Sequence, residues 1–182
     1  GRLAKAGGGP PAGSIGELVR AVQNHLPRVI VVSDGSTDAT AAKASGAGAE
    51  VFWHPKNLGK GAALRTGLNH ARQRQYDWAL VLDGDGQHRP EDIPVFFRCA
   101  SDTGAVLIVG NRMHQAEAIP WLRRQVNRWM SRRISARAGR FLPDSQCGFR
   151  LINLDAWAEL SLETERFEVE SEMLLAFVRA GH

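Results

Sequence analysis

The 182-residue chain has only two cysteines, Cys99 and Cys147, and a single tyrosine, Tyr76. Two cysteines without a C-x-x-C pair offer neither a disulfide framework nor a zinc site, so free thiols are the simplest reading. Long hydrophobic runs are absent as well. The longest, such as Trp78–Leu82, match a buried strand and fall far short of the roughly 18 apolar residues of a membrane span. No internal repeat is visible. The low hydrophobicity that marks disordered chains is also lacking: 43% of residues are hydrophobic and 23% charged, which fits one globular core of ordinary size. Acidic residues are missing where arginines concentrate. Between Ala118 and Pro143 there are seven arginines and no Asp or Glu, although the whole chain carries only +4. Nucleic acid fits this basic run poorly, because no binding motif accompanies it and the tryptophans do not interleave with it systematically.

What the chain does contain is alternation. Residues 1–13, rich in Gly, Ala and Pro, read as a disordered or altered segment, and residues 14–182 as one folded domain. Ser14 and Glu17 form a capping box ahead of Ile15, Leu18, Val19 and Val22 at helical spacing. Residues 28–33 form a β-branched run typical of a strand buried on both faces. A polar turn and an Ala-rich helix follow, then strand 50–53 and a helix over 60–74. Strand 77–82 runs into the loop 83–88, and Pro90 is placed to open a helix at its first turn. A strand over 105–109, a basic amphipathic helix over 119–138, a strand over 147–152 and helices near 155–160 and 168–180 complete the pattern. Strands alternating with helices predict an α/β layered domain with a mainly parallel central sheet, whose ligands gather at the strand ends. Residues 34–38, 83–88 and 110–112 each follow a strand.

The loop after strand 77–82 carries Asp83, Asp85 and Gln87, with Gly84 and Gly86 allowing tight turns. Two carboxylates and an amide oxygen suit a hard divalent cation, Mg²⁺ or Mn²⁺, which would neutralise a departing diphosphate. The competing reading is an Asp-Gly turn that merely ends a strand. Asp34, Ser36, Thr37 and Asp38 suit the base and ribose of a nucleotide, Asp34 better as ligand and Asp38 better as helix cap. Asn57–Gly61 opens a helix, where free N–H groups and Lys60 favour phosphate, or where a glycine turn carries a solvated lysine. Leu122, Val126, Trp129, Met130 and Ile134 make an apolar stripe on the Arg-rich helix. Core packing is its commoner fate, and contact with an anionic bilayer the alternative. Arg112 and Arg123 or Arg124 are shaped to grip a substrate phosphate.

In this order, VIVVSDGSTDAT, NLGKGAALRTGL, LVLDGDGQHRPEDI, GNRM and DSQCGFRLI resemble a family-2 glycosyltransferase of the GT-A, Rossmann-like fold, nearest the polyprenyl-phosphate (dolichyl-phosphate-mannose-like) sugar synthases. The resemblance implies roles by position. Asp83, Asp85 and Gln87 fall on the metal-binding D-x-D-x-Q, with Asp83 also beside the nucleotide, and Asp34, Ser36 and Lys60 fall on the nucleotide side. Arg112, with Arg123 and Arg124, falls on phosphate-gripping positions. Asp144–Arg150, with Gln146 and Arg150, falls on the acceptor loop. Asp85 and Arg112 would serve the chemistry, and Glu170 is the fallback base. The implied reaction is inverting, metal-dependent transfer from a UDP- or GDP-linked sugar to a polyprenyl phosphate. The implied setting is cytoplasmic, with peripheral contact at the inner membrane face.

Two departures accompany the resemblance. The first strand of the family, ending in P-x-x-N-E, has no counterpart in residues 1–13, and Ser33 stands where the first acid of D-D-G-S belongs. A partial catalytic domain with weakened donor binding is therefore expected. Two other readings compete. One is a non-catalytic nucleotide-sugar-binding remnant. The other is a haloacid-dehalogenase-type phosphatase, which would want Thr or Val at Gln87 and its D-x-D near the chain start.

Overall fold

A computed structural model describes residues 15–36, 38–111, 121–139, 141, 144–160 and 169–182. Helix α1 (Ile15–Gln23) leads into strand β1 (Ile30–Asp34), α2 (Thr40–Gly46) into β2 (Glu50–His54), and α3 (Lys60–Gln73) into β3 (Trp78–Val81). A single 3₁₀ turn, Pro90–Asp92, precedes α4 (Ile93–Thr103) and β4 (Leu107–Val109). The proline was expected to open the helix itself. It opens the turn instead, and Pro94 takes the early helical position where a missing N–H is harmless. Helix α5 (Trp121–Ala138), β5 (Arg150–Asn153), α6 (Leu154–Ala158) and α7 (Val169–Arg179) follow.

β1 and β2 pair in parallel, Ile30 opposite Glu50 and Asp34 opposite His54. β5 lies between β3 and β4 and runs antiparallel to both, so those two share one direction. β5 starts at Arg150 rather than at Cys147, because residues 144–149 form a loop held by the Arg150 side chain. Among the described residues no ladder joins β1 to β3. They nevertheless belong to one layer. Ile30 and Val32 share a core cluster with Ala79, Val81 and Ile152, and Val31 shares the opposite cluster with Leu80 and Leu151.

Helices cover both faces. Leu64 and Leu68 of α3, Trp157 of α6 and Met173 and Phe177 of α7 pack on the first face. Val19 and Val22 of α1, Ala44 of α2 and Ile93 and Phe96 of α4 pack on the second. β1 and β3 read as near-continuous apolar runs because both their faces are buried, and this α/β/α sandwich aims the strand ends at one rim. Residues 1–13, the Ser14 cap and Thr37 lie outside the described residues.

Candidate active site

Asp34 closes β1, and its carboxylate is taken up by its own chain. Oδ1 accepts from His54 Nδ1 at 2.9 Å and from the Leu58 N–H at 2.8 Å, and Oδ2 accepts from the Gly59 N–H at 2.9 Å. The other ring nitrogen of His54, Nε2, lies 3.0 Å from the Thr66 hydroxyl. The anion expected at the start of α3 is thus supplied by Asp34, which fastens the 54–59 loop over β1. Gly35 makes this approach possible: its φ is +69°, and a Cβ there would run into the backbone at Asn57. Ser36 is half-buried beside it. Asp38 accepts the Thr40 N–H at 3.1 Å, just before α2, but the N-cap position itself falls on Ala39 and carries no side-chain bond.

Asp83, just past β3, is satisfied differently. Lys60 Nζ, from the first residue of α3, lies 2.9 Å from its Oδ1, and the same ammonium contacts Glu170 Oε1 from the start of α7. His88 Nε2 lies 3.7 Å from Oδ2. The backbone of Gly148 closes the remaining side so tightly that a Cβ there would overlap the carboxylate. Burial opposes ionisation of Asp83, but the His88 ring and the Lys60 charge outweigh it and hold the carboxyl well below the usual carboxylate range. His88 is itself buried and stacks at 5.1 Å on Phe149, which stacks at 4.3 Å on Phe96. Lys60, Asp83 and Glu170 therefore tie three elements together. Sequence reasoning missed His54, Thr66, His88 and Gly148 as members of these sites. His54 and His88 each follow a strand or its loop directly, the only signal available.

Asp85 lies further along the loop, half-buried, and its Oδ1 accepts the Gln87 N–H at 3.0 Å. Gln87 is exposed. Among the described residues no three His, Cys, Asp or Glu side chains are grouped to hold a metal. The donor set of Asp83, Asp85 and Gln87 is nonetheless all hard oxygen, with Asp83 held ionised. That chemistry fits a Mg²⁺ or Mn²⁺ whose other positions a diphosphate would fill.

Arg150 was assigned by resemblance to acceptor phosphate, and the structure gives its guanidinium another task. The side chain is 2% exposed. Nε donates to the Cys147 carbonyl, Nη2 to the Ser145 carbonyl and Nη1 to the Glu170 carbonyl, each at 2.8 Å, with Met173 Sδ 3.7 Å from Nη1. It clamps the 144–149 loop to α7. Gln146 donates to Ser145 Oγ and, at 2.8 Å, to Ser171 Oγ. The Ser145 N–H donates to Ser131 Oγ of α5 at 3.0 Å, joining that helix to the same loop. A cavity of about 510 Å³ between β4 and α7 is lined by Val106, Leu107, Leu174 and Phe177 and reaches Asp144 and Ser145, but none of Lys60, Asp83 or Glu170.

Arg112 lies outside the described residues, and so do the side chains of Arg123, Arg124, Leu122 and Val126. The apolar stripe expected on α5 is split. Ile134 is buried with Ser131, whereas Trp129 is 54% exposed with the Arg133 guanidinium 4.8 Å above its ring. The helix turns Ser131 and Ile134 inward together, which leaves Trp129 on the solvent side. Phe141, just beyond, is 85% exposed.

A model of glycosyl transferase family 2 matches residues 12–160. The chain belongs to this family. An uncharacterized protein of Methanocaldococcus jannaschii is 30% identical over 173 residues, covering 92% of this chain and 71% of its own. The UDP-N-acetylglucosamine–dolichyl-phosphate N-acetylglucosaminyltransferase of Methanococcus voltae is 29% identical over 184 residues, covering 88% of this chain and 73% of its own. Glucosyl-3-phosphoglycerate synthase of Mycobacterium tuberculosis, solved with Mn²⁺, UDP-glucose and phosphoglyceric acid, superposes with a TM-score of 0.70 at 20% identity. That match covers 98% of this chain and 66% of the other, just under two thirds, and it shows a shared fold. The family and the GT-A fold implied by the ordered motifs are borne out, and relatives named for dolichyl phosphate stand among those it matches. Membership of a glycosyltransferase family sets the phosphatase reading aside.

Proposed function

We propose that this chain transfers a sugar, with inversion, from a UDP- or GDP-linked donor to a polyprenyl phosphate, in the presence of Mg²⁺ or Mn²⁺. The observation that carries this reading is the meeting of Lys60, Asp83 and Glu170 beside the Gly148 loop, at the rim where Asp85 and Gln87 also emerge. Asp83, Asp85 and Gln87 would hold the metal, which neutralises the leaving diphosphate. Lys60 adds a cation beside them. Arg112, Arg123 and Arg124 are proposed to grip phosphate groups of donor and acceptor, because a guanidinium meets phosphate with two parallel hydrogen bonds. Asp34 holds the 54–59 strap that, with Ser36, would frame the nucleotide.

A lipid monophosphate is largely ionised near pH 7, since its second pKa is about 6. Its oxygen attacks the anomeric carbon from the face opposite the diphosphate. One C–O bond forms as the other breaks, the electron pair leaves with the diphosphate, and no proton has to be removed. This agrees with the state of Glu170, whose carboxylate is occupied by Lys60 rather than standing free as a base. The acceptor side would be the 144–150 loop, where Gln146 is half-buried and Arg150 positions the backbone. The apolar cavity next to Ser145 offers room for the lipid end. No helix among the described residues is long and apolar enough to cross a membrane. The exposed Arg132, Arg133, Trp129 and Phe141 support peripheral contact with the inner, anionic face of the cytoplasmic membrane.

The test begins with calorimetry of the protein with Mn²⁺ against a panel of UDP- and GDP-sugars, followed by addition of polyprenyl phosphate and mass spectrometry of the lipid. Metal-dependent binding of one donor and formation of a glycosylated lipid are expected. Absence of metal-dependent donor binding, or binding unchanged in Asp85→Ala, overturns the reading. Donor binding without any lipid product would mark a binding remnant instead.

A further inference from the structure

The charge of Asp83 is already balanced. Its Oδ1 faces the Lys60 ammonium at 2.9 Å, and its Oδ2 faces His88 and the close-packed backbone of Gly148. Lys60 also touches Glu170, so one cation serves two carboxylates, the half-buried Asp83 just past β3 and the buried Glu170 of α7. A divalent ion approaching Asp83 meets that ammonium first. Two cations within a few ångströms in a half-buried site repel strongly, since the dielectric there is well below that of water. Among the described residues there is no ready-made cluster of three ligating side chains that would overcome this repulsion.

We propose that Lys60 is a resident counter-cation that competes with the divalent metal for Asp83, so that the metal binds tightly only when the donor diphosphate draws the ammonium away. Lys60 is suited to this exchange. Its backbone is fixed at the first residue of α3 by the Asp34 strap, while its four-carbon stem lets the head group move. Glu170 can keep one end of the lysine when Asp83 releases it. The diphosphate brings the negative charge that makes the exchange favourable. The consequence is ordered, cooperative binding in which cation alone binds weakly and cation with nucleotide binds well. Lys60 then acts as a positioning residue that keeps two like charges together in the ligand-free protein. It also guards the site against metal without donor. This inference rests on the metal-dependent reading above.

The experiment is a Mn²⁺ titration of the whole chain without nucleotide, followed by the electron paramagnetic resonance signal of free Mn²⁺, and repeated with UDP and with GDP. Wild type should bind Mn²⁺ weakly alone and much more tightly with one of the nucleotides. Lys60→Met should bind Mn²⁺ alone about tenfold or more tightly than wild type, because a repelling charge is gone and two carboxylates are released. Its gain from added nucleotide should shrink. Lys60→Arg should restore wild-type behaviour, and Lys60→Met with Asp83→Asn should lose the gain. Glu170→Gln gives an independent arm: with Lys60 left to Asp83 alone, Mn²⁺ should bind more weakly than in wild type. That arm decides the matter if Lys60→Met does not fold. Mn²⁺ binding to wild type that is indifferent to both Lys60→Met and Glu170→Gln overturns this inference and leaves the metal-dependent reading intact. Absence of Mn²⁺ binding to wild type, alone and with either nucleotide, overturns both.

Discussion

Asp34 and Asp83 make an instructive pair. Each stands at the end of a strand, each is largely removed from solvent, and each was read as a ligand for the donor. Asp34 is satisfied mainly by backbone N–H groups of its own chain, with His54 as a third donor. Asp83 is satisfied by side-chain charge, chiefly Lys60. A carboxylate held by backbone can release its partners only by remodelling a loop. One held by a flexible ammonium can exchange its partner for a ligand. Strand-end aspartates that look alike in sequence therefore divide into one that builds the rim and one that is free to do chemistry.

The sharpest way to probe that division is to disturb the groups around each aspartate. Asp85→Ala, beside the exchangeable site, should lower sugar transfer by about two to three orders of magnitude, corresponding to several kcal/mol of lost charge neutralisation, while leaving the unfolding midpoint nearly unchanged. A steady-state assay with a urea melt checks both halves. A large drop in stability would make the loop structural. The clamp behind the acceptor loop should behave in the opposite way. Arg150→Met strips three buried carbonyls of their donors and should cost about 3–5 kcal/mol in urea unfolding, and Arg150→Lys should not rescue it because an ammonium lacks the planar fork.

Asp34→Ala leaves the Leu58 and Gly59 N–H groups and His54 without their acceptor. A loss of about 2–3 kcal/mol is expected, read by thermal or urea unfolding. An equal loss in Asp83→Asn would break the contrast between the two acids. Acid titration sharpens it further. The folded-state pKa of Asp83 is depressed, so its stabilising contribution is complete above the unfolded value and fades as pH falls below about 4. The acid limb of a stability-versus-pH curve should be shallower in Asp83→Asn than in wild type. The smallest effect belongs to the surface of α5. Trp129→Ala should change stability by no more than about 1 kcal/mol, the scale of an exposed cation–π contact, yet reduce sedimentation with anionic vesicles.

Much of this was legible in the sequence. The β-branched run at 28–33 and the apolar run at 77–82 identify doubly buried strands, and the polar clusters after them locate the rim. The direction of β5 was not legible, because a strand of four residues, Arg150–Asn153, reads the same in either orientation. Nor was the burial of Arg150. The resemblance puts Arg150 on the acceptor loop, whereas the fold supplies carbonyls from residues 145, 147 and 170 around it. Trp129 was read as part of an inward stripe, and helix rotation placed Ser131 inside in its stead. Side-chain partners far apart in sequence, such as Lys60 and Glu170, leave no local trace in either segment.

That last property bears on how the protein acquires its chemistry. The bridge from Lys60 of α3 to Glu170 of α7, through Asp83 just past β3, joins stretches more than half the chain apart, whereas the grip of Arg150 on the start of α7 is more local. Contacts of such long sequence separation form only after large loops have closed, which slows their formation. Refolding should therefore restore helical signal well before it restores nucleotide binding, and a nick in any connecting segment should silence the site while much of the secondary structure survives.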